Sequence, residues 1–143
     1  AAGFGHRVGV EFYPPSQIGS LAAALGLVQA IDRPGRVGVN TDLLHLMRSG
    51  GSLAELAAAP PGTILYGQLA DGPARAPQDL DREASSDRLL AGEGEFDLAG
   101  FVQALPPGCP ISVEIPRHHA IAAGVPRARR VALAVDSVRR AIV

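Results

Sequence analysis

The 143-residue chain has no tryptophan, one methionine and a single cysteine, Cys109, and only 4% of it is aromatic. One cysteine cannot close an internal disulfide, so the sequence points to a reducing compartment such as the cytoplasm. Excess charge of either sign is also missing: 13 basic residues face 14 acidic ones, for a formal net charge of −1. That balance argues against general nucleic-acid binding, which needs a basic face. The longest uncharged stretch, residues 12–31, is broken by Pro14, Pro15, Ser16, Gln17 and Ser20, so no membrane span is expected. Residues 1–7 carry neither an initiator methionine nor the apolar run of a signal peptide, and a trimmed or truncated soluble chain is the expectation. Glycine-rich phosphate loops are absent too. Gly92-Glu93-Gly94-Glu95 does not follow a strand, and neither a dinucleotide fingerprint nor a Walker loop is found.

What is present is an alternation. Short β-branched runs at residues 7–12, 36–42, 63–69 and 109–115 read as strands. A helical stretch follows each: residues 17–31 with Leu21, Leu25 and Val28 on one face, a turn at 43–48, then 53–59 capped by Ser52 with Glu55 three positions on. Residues 96–105 carry Leu98, Phe101 and Val102 on one face, and the last helix runs from Pro126 to Val143. In that helix Val131, Val135 and Val138 are expected inside, and Arg127, Arg129, Arg130, Arg139 and Arg140 on the solvated face. Residues 71–95, rich in Pro, Asp, Arg and Gly, read as a long polar loop. Four βα units of about 35 residues imply a parallel sheet covered by helices.

Polar residues recur at one place on these strands. Glu11, Asp42, Gln68 and Glu114 each stand at a strand's C-terminal end, behind an apolar run. A carboxylate there is costly unless it is paired or bound to a cation, and four occurrences in four units are hard to ascribe to accident. In parallel α/β folds these ends share the face where ligands bind. Three carboxylates and an amide oxygen make a hard, oxygen-rich site, suited to Mg²⁺ or Mn²⁺ ahead of Co²⁺ or Zn²⁺.

The segments Val8-Gly9-Val10-Glu11-Phe12, Asp42-Leu43-Leu44-His45, Tyr66-Gly67-Gln68-Leu69-Ala70-Asp71, Ser112-Val113-Glu114 and the run from Arg88 to Glu95 then carry a resemblance. In order and spacing they resemble the C-terminal half, strands five to eight, of the sugar phosphate isomerase/epimerase superfamily, the xylose isomerase-like TIM barrels. The resemblance implies one divalent cation held by Glu11, Asp42, Gln68 and Glu114, with His45 facing the substrate and Arg88 binding its carboxylate or hydroxyls. Many members have His where this chain has Gln68. Gln there resembles the 3-dehydroshikimate dehydratase branch, which uses the same barrel and metal for an elimination. Ala91 stands where the family's loop often has Pro.

The expected chemistry is removal of a proton next to a carbonyl, with Glu11 and Glu114 on opposite sides of the substrate and His45 as a further acid or base. The substrate class is a small polyhydroxy carbonyl compound: a sugar, sugar phosphate or related polyol ketone. Isomerase or epimerase is the first reading, a dehydratase-like lyase the second, and a non-catalytic half-barrel fragment the third. Asp71 reads as a turn former before Gly72-Pro73, Glu93 and Glu95 as loop structure, His118 and His119 as loop surface, and Tyr66 and Cys109 as packing residues. A complete barrel needs roughly 250 residues. Residues 1–143 are therefore expected to be a partial domain lacking N-terminal units, completed by a half-barrel in the same longer chain or by a second copy.

Overall fold

The computed structural model describes residues 4–142. Four strands form one parallel sheet in chain order: β1 (Val8–Glu11), β2 (Val37–Asp42), β3 (Ile64–Leu69) and β4 (Ile111–Val113). Parallel neighbours must be joined by crossovers, and the helices supply them. They are α1 (Leu21–Ile31), α2 (Leu43–Arg48), α3 (Leu53–Ala57), α4 (Leu80–Ser86), α5 (Leu98–Ala104), α6 (His118–Ala122) and α7 (Arg127–Ala141). The register sets Glu11 beside Asn40, Asp42 beside Gln68, and Gln68 beside Ser112. A bulge between Val39 and Asn40 shifts β2 against β3. Gly38 is needed at that crossing, because a Cβ there would lie 2.5 Å from the Thr63 carbonyl oxygen.

One face of the sheet holds the core. Val39, Ile64 and Leu69 pack with Phe12, Leu21, Leu43, Leu46, Leu56, Leu98 and Phe101 beneath the helices. Toward the strand ends the two-residue period sets Asn40 and Asp42 opposite to Val39, and Tyr66 and Gln68 opposite to Leu69, with Glu11 and Ser112 at the neighbouring register positions. Local caps fix the helix starts. Ser20 accepts from Ala23 N at 3.2 Å, and Ser52 and Glu55 form a complete capping box. These caps explain why α1 begins at Leu21 and not at the expected 17.

Three expectations need correction. Residues 71–95 are not an open loop: Asp79 caps α4 within them, and backbone bridges pair Asp71 with Leu89 and Asp87 with Arg117. Residues 118–122 form α6, a helical turn without a side-chain cap. Val131 is not inside. It is 56% exposed, whereas Val138 is buried, because α7 packs against β4 along one side only. Among the described residues β1 and β4 each have one unpaired edge. Of the arginines of α7, Arg127, Arg129, Arg139 and Arg140 are exposed, and Arg130 is half-buried. Ala1, Ala2, Gly3 and the expected helix end at Val143 lie outside the described residues. Cys109 is half-buried ahead of β4, and burial pushes its thiol pKa up. Among the described residues no helix is long and apolar enough to cross a membrane.

Candidate metal centre

β2 runs directly into α2, so Asp42 is both the last strand residue and the helix cap. Its Oδ1 accepts the backbone N–H of His45 at 3.1 Å. Capping in this way places His45 three residues on, with its ring returned toward the strand ends. Glu11 ends β1 beside it. Ligand atoms of Glu11, Asp42 and His45 all lie within 4.8 Å of one another. On the other side the Asn40 amide donates to Gln68 Oε1. Gln68 Nε2 then donates to Glu114 Oε2 at 2.5 Å. Two of the four residues expected as ligands, Glu11 and Asp42, thus sit in the tight cluster with His45. Gln68 and Glu114 form a hydrogen-bonded pair next to it.

Arg88 joins the two groups. It is only 2% exposed. Its Nη1 donates to Asp42 Oδ2 at 2.5 Å and to the Glu114 carbonyl at 3.2 Å, and lies 3.8 Å from Glu114 Oε2. Nε donates to the Ala84 carbonyl at 2.8 Å. Nη2 lies 3.5 Å from His45 Nε2. A guanidinium so engaged is a wall of the site, with one edge against His45. Sequence reasoning placed Arg88 here but on an open loop. Its burial depends on α4, which Arg48 clamps to α2 through two hydrogen bonds to Glu83, at 2.7 and 2.6 Å. The Tyr13 ring meets His45 edge-on at 5.0 Å between centroids, and its hydroxyl donates to Asp81 on α4.

Electrostatics follow from this crowding. Burial first, then the charges of Glu114 and Asp42, hold the Glu11 carboxyl above its ordinary pKa, against the opposing pull of Arg88 and an Asn40 hydrogen bond. Burial also lowers His45, with Arg88 adding to the fall while Asp42 and Glu83 oppose it. His45 is therefore neutral at pH 7, and its 3.7 Å approach to Glu11 is not an ion pair there. A carboxylate whose folded-state pKa is raised costs stability once it ionises, and the cost vanishes where both states are protonated. Glu11→Gln is thus expected to raise the urea midpoint of the chelator-treated protein at pH 7. The gain should fade as pH falls through the ordinary carboxylate range, and a lowered midpoint at pH 7 would contradict the crowding.

Other candidate residues fall outside this cluster. Glu93 and Glu95 brace the loop as expected, accepting from Leu90 N and Ala74 N, each at 3.0 Å. His118 and His119 are exposed on α6 and line a cavity of about 430 Å³ with Arg117 and Arg130. Tyr66 is half-buried on the face that carries Gln68. Asp71 is more than a turn former: it is 1% exposed, and its carboxylate accepts four backbone N–H groups. A single-sequence reading had no means to see that, because three of the donors come from more than 20 positions away.

No protein-family model matches the chain, and no curated protein matches it. Solved structures do. The IolI protein, crystallised with a bound zinc atom, superimposes with a TM-score of 0.82 at 20% identity, over 98% of this chain and 50% of that one. A xylose isomerase domain protein from Alicyclobacillus acidocaldarius subsp. acidocaldarius matches at 27% identity and TM-score 0.64, over 94% of this chain and 53% of its own. The chain folds as half of a xylose isomerase-like TIM barrel. A xylose isomerase-like TIM barrel/4-hydroxyphenylpyruvate dioxygenase fusion protein matches the half-barrel as well, at 29% identity and TM-score 0.69, over 80% of this chain and 19% of that one. The half-barrel spans about half the length of the first two relatives.

The donor set of the half-barrel fits a hard divalent cation. Three carboxylates and one buried guanidinium, with His45 neutral, leave two formal negative charges on one face. The raised pKa of Glu11 comes first from burial and then from the charges of Glu114 and Asp42, and a cation would relieve that repulsion. Asn40 Oδ1 is buried there without a partner among the described residues.

Proposed function

We propose that the half-barrel is the metal-holding part of an isomerase or epimerase acting by proton transfer next to the carbonyl of a sugar, sugar phosphate or related polyol ketone. The carrying observation is the convergence of Glu11, Asp42, Gln68 and Glu114 at four successive strand ends, with His45 and Arg88 between them. These four residues would hold one divalent cation: Mg²⁺ or Mn²⁺ by oxygen content, with Co²⁺ and Zn²⁺ the alternatives. The zinc in the IolI structure supports a divalent metal. Bound there, a cation supplies Lewis-acid polarisation of the substrate's carbonyl and hydroxyl oxygens.

The chain's own groups do the proton work. Glu11 and Glu114 stand at opposite edges of the sheet, so their carboxylates reach opposite faces of a substrate between them. Until a cation binds, Glu11, with its raised pKa, holds a proton more readily than an ordinary carboxylate. Neutral His45 offers Nε2 as acceptor or donor and, with the edge of Arg88, binds the substrate's oxygens. The two open strand edges, and the 50% share of the IolI chain, support a role as strands five to eight of a closed barrel. The other half comes from a longer chain or a second copy. The lone cysteine supports a cytoplasmic setting.

Gln68 favours a second reading, a dehydratase-like lyase on the same site. One titration and two assays separate the readings. Calorimetric titration of the chelator-treated protein with Mn²⁺ is expected to show one site. Deuterium uptake from solvent into ketose substrates, without loss of water, supports the isomerase. Ultraviolet growth of an aromatic product from 3-dehydroshikimate supports the lyase. Absence of cation binding sinks both and leaves a non-catalytic fragment.

A further inference from the structure

We propose that Asp71 is a positioning residue, the buried carboxylate that fixes residues 88–96 and so sets Arg88 against Asp42 and Glu114. The proposal rests on reading that face as a metal centre. Asp71 follows β3 and touches none of the candidate ligands. Its Oδ1 accepts from Gly72 N at 2.8 Å and Phe96 N at 3.1 Å, and its Oδ2 from Gly92 N at 2.9 Å and Gly94 N at 3.0 Å. Four N–H donors satisfy the hydrogen-bonding capacity of a buried carboxylate, and bonds to an ionised acceptor are the strong ones. Two glycines make room. Gly92 has φ +86°, which favours glycine, and a Cβ on Gly94 would overlap Asp71 Oδ1 and lie 2.5 Å from the Gly72 carbonyl.

The link to Arg88 runs through the backbone. Asp71 exchanges hydrogen bonds with Leu89, N to O at 3.3 and 3.2 Å, and Arg88 N donates to the Pro116 carbonyl at 3.2 Å. Pinned on both sides, the Arg88 main chain has one place to be, and the guanidinium reaches Asp42 from it. Releasing the Leu89–Phe96 loop frees Arg88 to move, and a carboxylate that loses its fixed partner loses its orientation toward a cation. Mutation of such supporting partners costs about 10- to 100-fold in metal affinity.

Three variants test this. Asp71→Asn keeps the shape but turns an NH₂ group against two N–H donors, and Gly94→Ala presses on the same cradle from the other side. Each is expected to weaken Mn²⁺ binding about tenfold in the chelator-treated protein. In an Arg88→Ala background the Asp71→Asn change should have no further effect on Mn²⁺ affinity. A residue with a merely structural role would lower affinity equally in both backgrounds, and that result overturns the proposal. A second readout needs no metal: the Arg88 Nε–H resonance, protected in the parent by the Ala84 carbonyl, should be lost in Asp71→Asn and in Gly94→Ala. If the parent binds no Mn²⁺, the metal reading fails, and this resonance alone decides the positioning role. Its persistence in both variants overturns it.

Discussion

Glu114→Gln is expected to cut turnover about a thousandfold with little change in thermal stability. The side chain is 43% exposed, and its firm partners are the Gln68 amide and, at longer range, Arg88. Gln at 114 keeps an oxygen that can accept from Gln68 Nε2, so the local hydrogen bond survives. What is lost is a negative charge on the reactive face and a group able to take a proton. General acid–base groups contribute about 10²- to 10⁴-fold, and losing one of three anionic donors to a cation adds to that. The decisive measurement pairs initial rates at saturating Mn²⁺ with a far-UV melting curve. Unchanged turnover would mean that the strand-end carboxylates are not a metal centre.

The same carboxylates show what could be read from sequence. Period-two runs and Pro/Gly breaks mark all four strands, because a buried strand needs an apolar run and its turns need special backbone angles. Glu11, Asp42 and Gln68 were legible because a polar residue ending an apolar run has no local reason to be there. Asp42-Leu43-Leu44-His45 told more than position: a capping Asp fixes where the third residue on must point. Other features depend on distant partners. The polar composition of residues 80–86 hid α4, which owes its place to Asp79 at the cap and to Arg48 gripping Glu83 from 35 positions away. The burial of Arg88 and the cradle of Asp71 arise only when that segment folds back over β3. Val131 misled for the converse reason: its spacing is that of a core residue, but it stays 56% exposed.

Asp42 is where stability and the proposed chemistry meet, and two substitutions should separate them. Asp42→Ala removes the cap of α2 and takes from the buried Arg88 guanidinium its nearer counter-charge, leaving only Glu114 at 3.8 Å. Removing one partner of a buried pair costs about 3–5 kcal/mol, and loss of an Asp cap about 1 kcal/mol more. A domain with about 5–15 kcal/mol of total stability is then close to unfolding, so a poorly cooperative or missing urea transition is expected. Asp42→Asn keeps an oxygen for His45 N and loses only the charge, so its midpoint should fall less. Adding Arg88→Gln to Asp42→Asn should recover much of the loss, because two neutral amides leave no unpaired charge in the interior. Cation binding should not return with it, since the anionic oxygen at the end of β2 is gone. If the double variant regains Mn²⁺ affinity together with stability, Asp42 belongs to the scaffold alone, and the centre must be redrawn around Glu11, His45 and Glu114.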